Sequence, residues 1–206
     1  MKNHIEAALV SRKILVALLF VAVGMMLANN LGSSAHPAQS AVAKNDAAAK
    51  AAFLAAYPVF MHPRCMNCHP VGDAPLQGDD SHVHAQNVKR SSDGKGKYAL
   101  RCTNCHQPEN LPGENMPPGV PNWHMLPEDM KMIFEGRSAG ELCRQLEDPS
   151  QNGGKSIADL LHHVGEDPLV LWGWKPGDRR TLPAISHAEF VAKMKQWADN
   201  GASCPE

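Results

Sequence analysis

The sequence predicts a mostly α-helical fold, small, multi-helix and loop-rich, and three observations carry that prediction. Apolar residues recur at helical spacing behind residues suited to cap helices, at Asn45, Ser138, Ser156 and Ser186. Between these segments lie stretches dense in glycine and proline, each present 16 times, and no run alternates long enough to read as a strand. The pattern Cys-x-x-Cys-His occurs twice, as Cys65-Met66-Asn67-Cys68-His69 and Cys102-Thr103-Asn104-Cys105-His106, and offers something for so loop-rich a chain to organise around.

That spacing lets two thiols form thioether bonds to the two vinyl groups of one haem, while the following imidazole meets its iron. Cys65, Cys68, Cys102 and Cys105 are therefore the expected attachment points of two covalent haem c groups. His69 and His106 are the expected proximal ligands. The competing readings are a four-cysteine zinc site and a thioredoxin-like dithiol. A zinc site does not need a histidine after each second cysteine, and a thioredoxin motif belongs in a βαβ pattern that this sequence lacks. Aromatic residues make up only 5% of the chain, thin for a core, and two porphyrins would supply the missing apolar surface. The fold is thus expected to wrap around two haems.

In chain order, Lys2, Arg12 and Lys13 precede an apolar run from Ile14 to Ala28 and small residues, the pattern of an export signal over residues 1–35. Ser33-Ser34-Ala35 and Ala41-Val42-Ala43 are the candidate cleavage sites. A membrane association follows only if this segment stays uncleaved. Residues 36–45 read as a flexible leader, and 46–206 as the dihaem cytochrome c domain. Asn45 caps a predicted helix over Asp46–Phe60, which Pro58 should end or kink. Residues 70–96 read as a loop carrying His82 and His84, and Lys89, Arg90, Lys95, Lys97 and Arg101 make a locally basic, solvated segment. Residues 111–127, with prolines at 112, 117, 118, 121 and 127, read as an irregular wrap.

The last third is predicted to be helical. Pro127-Glu128-Asp129 opens a short helix that ends at Gly136. Capping boxes at Ser138/Glu141 and Ser186/Glu189 open two more. Ser156 opens another that Gly165 closes. Leu169–Trp174 is too apolar to lie on the surface. Cys143 and Cys204 are the two cysteines outside the motifs; an even remainder in an exported chain reads as a disulfide.

The sixth position on each iron decides the chemistry, because a second imidazole or a thioether makes a carrier and an open site permits catalysis. His84, on the loop between the motifs, His124, in the proline-rich wrap, and His163, on a helix, are the leading distal candidates. Met116, flanked by Pro117, is a weaker one. His62, His82 and His162 trail them, and His187, beside a cap, is expected to face solvent. Trp123, Trp172 and Trp174 are expected to be packing walls. Without residues 1–35 the chain carries 17 basic and 20 acidic side chains, which does not favour nucleic acid as a partner.

His62 through Pro70, Pro75-Leu76-Gln77-Gly78-Asp79, Arg101 through His106, Pro121-Asn122-Trp123-His124 and Leu169 through Gly177 together resemble a bacterial family of exported dihaem c-type cytochromes. That family is described as the cytochrome subunit of isoquinoline 1-oxidoreductase. The resemblance spans roughly Phe53 to Pro205. It implies a periplasmic protein that relays single electrons between an oxidoreductase, such as a molybdenum hydroxylase, and a respiratory acceptor. A dihaem peroxidase-like enzyme with one open iron is the alternative; the surplus of candidate ligands argues against it.

Overall fold

The structure, a computed structural model, describes residues 44–206 apart from Asp178. The expected export signal and all but the last two residues of the leader lie outside the described residues. Within them, helix outweighs strand at 36% against 2%, so the mostly α, loop-rich class holds. No helix among the described residues is long and apolar enough to cross a membrane.

Helix α1 (Asp46–Phe60) is capped as expected, the Asn45 side chain accepting from the Ala48 N–H at 3.1 Å. It runs two residues past Pro58. The carbonyl that Pro58 cannot bond belongs to Leu54, which is half exposed, so water can satisfy it. Ala49, Ala52, Phe53, Ala56, Val59 and Phe60 form its buried stripe. Opposite lies helix α6 (His187–Asp199), with Phe190, Met194 and Trp197 buried. Phe53 meets Trp197 with ring centres 5.5 Å apart, and Phe60 meets Phe190 edge-on at 5.2 Å. The small alanines of α1 let these large rings enter between the two helices.

Helices α3 (Ala139–Glu147) and α4 (Ile157–Glu166) complete the core with Leu142, Leu146, Leu160 and Val164. Both open with full capping boxes, Ser138 with Glu141 and Ser156 with Asp159. At α6 only the Ser186 half of the box forms, its side chain accepting from the Glu189 N–H. Helix α4 passes Gly165 and ends at Glu166, with Asp167 as its C-cap and as the N-cap of the next helix, α5 (Pro168–Trp172). The sulfurs of Cys143 and Cys204 lie 2.00 Å apart, a disulfide that joins α3 to the tail following α6.

The remaining elements are small. Helix α2 (Pro63–Met66) starts the first motif. A two-residue antiparallel ladder pairs β1 (Leu76–Gln77) with β2 (His82–Val83), Leu76 opposite Val83. A single 3₁₀ turn spans Cys102–Asn104.

Two predictions about this region are corrected. Helix α5 buries none of its own residues, and Leu171 is exposed, so its apolar character is not spent on the protein core. No helix forms over residues 127–136. The N–H groups of Phe134 and Glu135, which a helix would give to Met130 and Lys131, go to the His69 carbonyl instead. Met132 also adopts φ +46°, a left-handed conformation incompatible with continued helix.

Candidate functional site

The first motif is built on one helical turn. The His62 ring Nδ1 accepts from the Arg64 N–H at 3.2 Å as an N-cap, and Pro63 takes the first helical position. Three-residue spacing on that turn brings Cys65 and Cys68 to one side. Asn67, nearly buried, ties the turn to the hairpin by donating from its side chain to the Gly78 carbonyl at 2.9 Å, while its own carbonyl accepts from the Leu76 N–H. The chain then delivers His69 under the strap that replaces the predicted helix.

That strap fixes His69 at three points. The His69 carbonyl accepts from the N–H groups of Phe134, at 2.9 Å, and Glu135, at 3.3 Å. Its Nδ1 lies 2.8 Å from the Met132 carbonyl. A carbonyl only accepts, so the ring proton is on Nδ1 and the Nε2 lone pair is free. Phe134 stacks on the imidazole at 3.8 Å and 6°, and its ring also reaches Phe60 in the main core. Burial pushes the His69 imidazole down to about 4, against the opposing Met132 hydrogen bond, and keeps it neutral. Burial likewise pushes the Cys65 thiol up to about 12 and Cys68 up to about 11.

The second motif repeats this arrangement with other parts. Its cysteines flank a 3₁₀ turn, and Cys105 is exposed. His106 Nδ1 donates to the Pro118 carbonyl at 2.7 Å, again leaving Nε2 free, and Trp123 stacks on the ring at 4.5 Å and 3°. Burial lowers the affinity of His106 for a proton and raises the Cys102 thiol. The proline-rich wrap is held by Asn110, whose Oδ1 accepts from the Gly119 N–H at 2.9 Å and the Trp172 indole at 3.0 Å, and whose Nδ2 donates to the Lys175 carbonyl. Gly119 has no alternative here: a Cβ would stand 2.0 Å from the Glu109 carbonyl oxygen.

Of the distal candidates, His84 faces His106 with ring centres 6.3 Å apart. Its Nδ1 accepts from the Gln86 N–H at 3.2 Å. His163, on α4, donates from Nδ1 to Asp167 Oδ2 at 3.2 Å, leaving Nε2 free, and lies near enough to His69 to lower its protonation further. His124 donates from Nδ1 to the Asn122 carbonyl at 2.6 Å. The structure therefore brings His84 to His106 and holds His163 by its Nδ1 on Asp167. Met116 lies two residues from the Pro118 carbonyl on the Nδ1 side of His106, and its own carbonyl accepts from Arg180.

Three other histidines are used structurally. His62 is the cap of α2, and His82 pairs with Asp80. His187 does not simply face solvent, as expected from the sequence; its Nε2 bonds the Val164 carbonyl at 2.8 Å and its ring packs on Trp174. His162 is largely exposed beside Glu166. Trp123, Trp172 and Trp174 are packing walls, Trp172 meeting Trp123 edge-on at 4.9 Å.

The four motif thiols do not gather into a tetrahedral site. Among the described residues the one compact set of three ligand atoms is Cys143, Glu147 and Cys204, and its two sulfurs are joined to each other. Sequence reasoning missed the Met132 and Pro118 carbonyls and the two stacked rings, because backbone acceptors carry no residue signature. It also placed Arg90 in a solvated segment, whereas its side chain is 0% exposed. Comparison with protein-family models, curated proteins and solved structures finds no match for this chain.

Proposed function

We propose that this chain is an exported electron carrier holding two c-type haems, which relays single electrons between an oxidoreductase and a respiratory acceptor. The observation that carries the reading is the duplicated setting of His69 and His106. Each follows a Cys-x-x-Cys pair, has its Nδ1 proton tied to a backbone carbonyl, bears a stacked aromatic ring and keeps Nε2 free. Metal-bound imidazoles are oriented in this way by the partner of their second nitrogen.

The bound group would supply reversible one-electron chemistry at iron. Everything else is done by the chain. Cys65 and Cys68 hold one haem, and Cys102 and Cys105 the other. Neutral His69 and His106 offer unprotonated nitrogens. His106 and His84, whose ring centres lie 6.3 Å apart, would hold the second group. Ligation by His84 asks its proton to move to Nδ1 and gives up the long Gln86 contact, a loss of about 1 kcal/mol. His163 already carries the required tautomer, held by Asp167. The half-exposed apolar side chains of α5 and the Trp123–Trp172 pair suit a flat apolar group beside the second motif.

The resemblance supports a molybdenum hydroxylase as the electron donor. The peroxidase-like alternative requires one iron without a distal side chain, and the close approach of His84 to His106 argues against it at the second site.

The test is spectroscopic. A haem stain after denaturing electrophoresis and a pyridine haemochrome assay should give two covalent haems per chain. Low-temperature EPR with near-infrared spectroscopy should show two low-spin, six-coordinate irons with paired imidazole ligands. His84→Ala should turn one haem high-spin and His163→Ala the other, with His124→Ala changing neither. A high-spin iron in the unmodified protein would overturn the carrier reading in favour of catalysis, and a negative stain would overturn covalent haem.

A further inference from the structure

Arg90 is the one side chain of the basic segment that the fold withdraws from water completely. Its burial is built into the backbone. The Arg90 N–H donates to the Asp73 carbonyl at 2.6 Å, and the following residues pair with a second stretch of chain, Met125 N–H to the Gly94 carbonyl at 2.9 Å and Glu128 N–H to the Ser91 carbonyl at 3.1 Å. Gly94 makes that close approach possible, since a Cβ there would stand 1.9 Å from the Met125 carbonyl oxygen.

Inside this turn the guanidinium is only partly satisfied. Nη1 donates to the Leu126 carbonyl at 2.8 Å, while Nε and Nη2 have no hydrogen-bond partner. These two nitrogens form one edge of the guanidinium, the edge whose parallel N–H groups match the two oxygens of a carboxylate. The nearby carboxylate of Asp73 is committed to Lys131 at 2.6 Å. Arginine does not shed its proton, so burial leaves a positive charge without a bonded counter-ion, an arrangement that is costly unless an anion completes it. Arg64, the other buried arginine, differs because it is paired with Asp79. The Arg90 N–H bond to the Asp73 carbonyl holds the residue against the chain four positions past His69, and its charge acts on both Cys68 and His69.

We propose that the Nε–Nη2 edge of Arg90 is a carboxylate site and that its occupant is a propionate of the haem attached through Cys65 and Cys68. The inference rests on the dihaem reading. A positive charge held against that propionate stabilises the added electron, so Arg90 is a positioning and tuning residue for the first haem.

Potentiometric titration of the exported, full-length holoprotein tests it. Arg90→Gln should shift one of the two midpoint potentials downward and leave the other in place. Arg90→Lys, which keeps charge but loses the two-pronged geometry, should shift the same midpoint by less, and Lys195→Gln, at an exposed lysine paired with Asp199, should shift neither. In a chain made with haem labelled by ¹³C at the propionates, Arg90→Lys should also move the carboxylate bands of the redox-difference infrared spectrum, a readout that survives if Arg90→Gln does not fold. Unchanged potentials and bands in Arg90→Lys would overturn the assignment while the dihaem reading stood. So would a midpoint of the unmodified protein that follows added phosphate or acetate, the mark of an exchangeable anion. Absence of covalent haem from the unmodified protein would overturn both.

Discussion

The two motif sites share a design and differ in what supports it. His69 is held by a strap whose Phe134 belongs to the main aromatic core, stacked on the imidazole on one side and edge-on to Phe60 on the other. His106 is held by a proline-rich wrap and by Trp123 and Trp172, rings that do not enter that core. The first site is thus coupled to the global fold and the second to a local arrangement pinned by Asn110. Orientation of an imidazole needs only one acceptor and one wall, and either kind of support can provide them.

Removing the wall at each site tests this difference in support most severely. Phe134→Ala should cost about 3–5 kcal/mol of global stability, because it opens a cavity against Phe60 and frees His69. Trp123→Ala should cost far less in global unfolding and, on the dihaem reading proposed above, disturb the spectrum of the second haem alone. Chemical denaturation followed by helix signal and by haem absorbance checks both; equal losses for the two variants would show that the sites are supported alike.

The disulfide comes next. Replacing Cys143 and Cys204 together by serine releases a loop with a sequence separation of 61 and should cost about 4 kcal/mol in the chain-entropy limit. The thermal midpoint should fall, with both low-spin signatures intact below it, since the bridge touches neither motif.

Gly119→Ala addresses the second site only. The Glu109 carbonyl in the way of a new Cβ would force the wrap to move and carry the Pro118 carbonyl off His106. A weakened second-haem signature with the first unchanged is the expected result, and Asn110→Ala should act in the same direction by about 1–3 kcal/mol through its lost hydrogen bonds.

The smallest effect is on acid tolerance. In the haem-free chain His69 binds its proton only at about 4, against 6.5 for the ordinary imidazole. Between those values the unfolded chain takes up a proton that the folded chain refuses. Stability from this group is therefore complete above 6.5 and is lost as the pH falls toward 4. Chemical denaturation at a series of pH values between about 4 and 7 reads this loss, and a stability independent of pH over that range would contradict it.

Much of this was legible in residues that act locally. Asn45, Ser138 and Ser156 cap the helices they were expected to cap, because a cap depends on three or four neighbours. Residues 127–136 were misjudged for the opposite reason. Their apolar spacing suits a helix, but the Phe134 and Glu135 N–H groups find their acceptor at the His69 carbonyl, which no local pattern announces. Leu169–Trp174 reads as too apolar for the surface; Gly173 is buried and Trp174 packs on the core, whereas Leu169 to Trp172 stay partly exposed because no neighbouring element covers them.

The helical class, the caps, the paired Cys-x-x-Cys-His units and the two remaining cysteines are all written in short-range order. Which carbonyl holds His69 and which holds His106, the approach of His84 to His106, and the burial of Arg90 emerge only when the chain is folded. Those outcomes depend on contacts between residues as far apart as His69 and Met132, where the energy lies in packing and hydrogen-bond satisfaction across the fold.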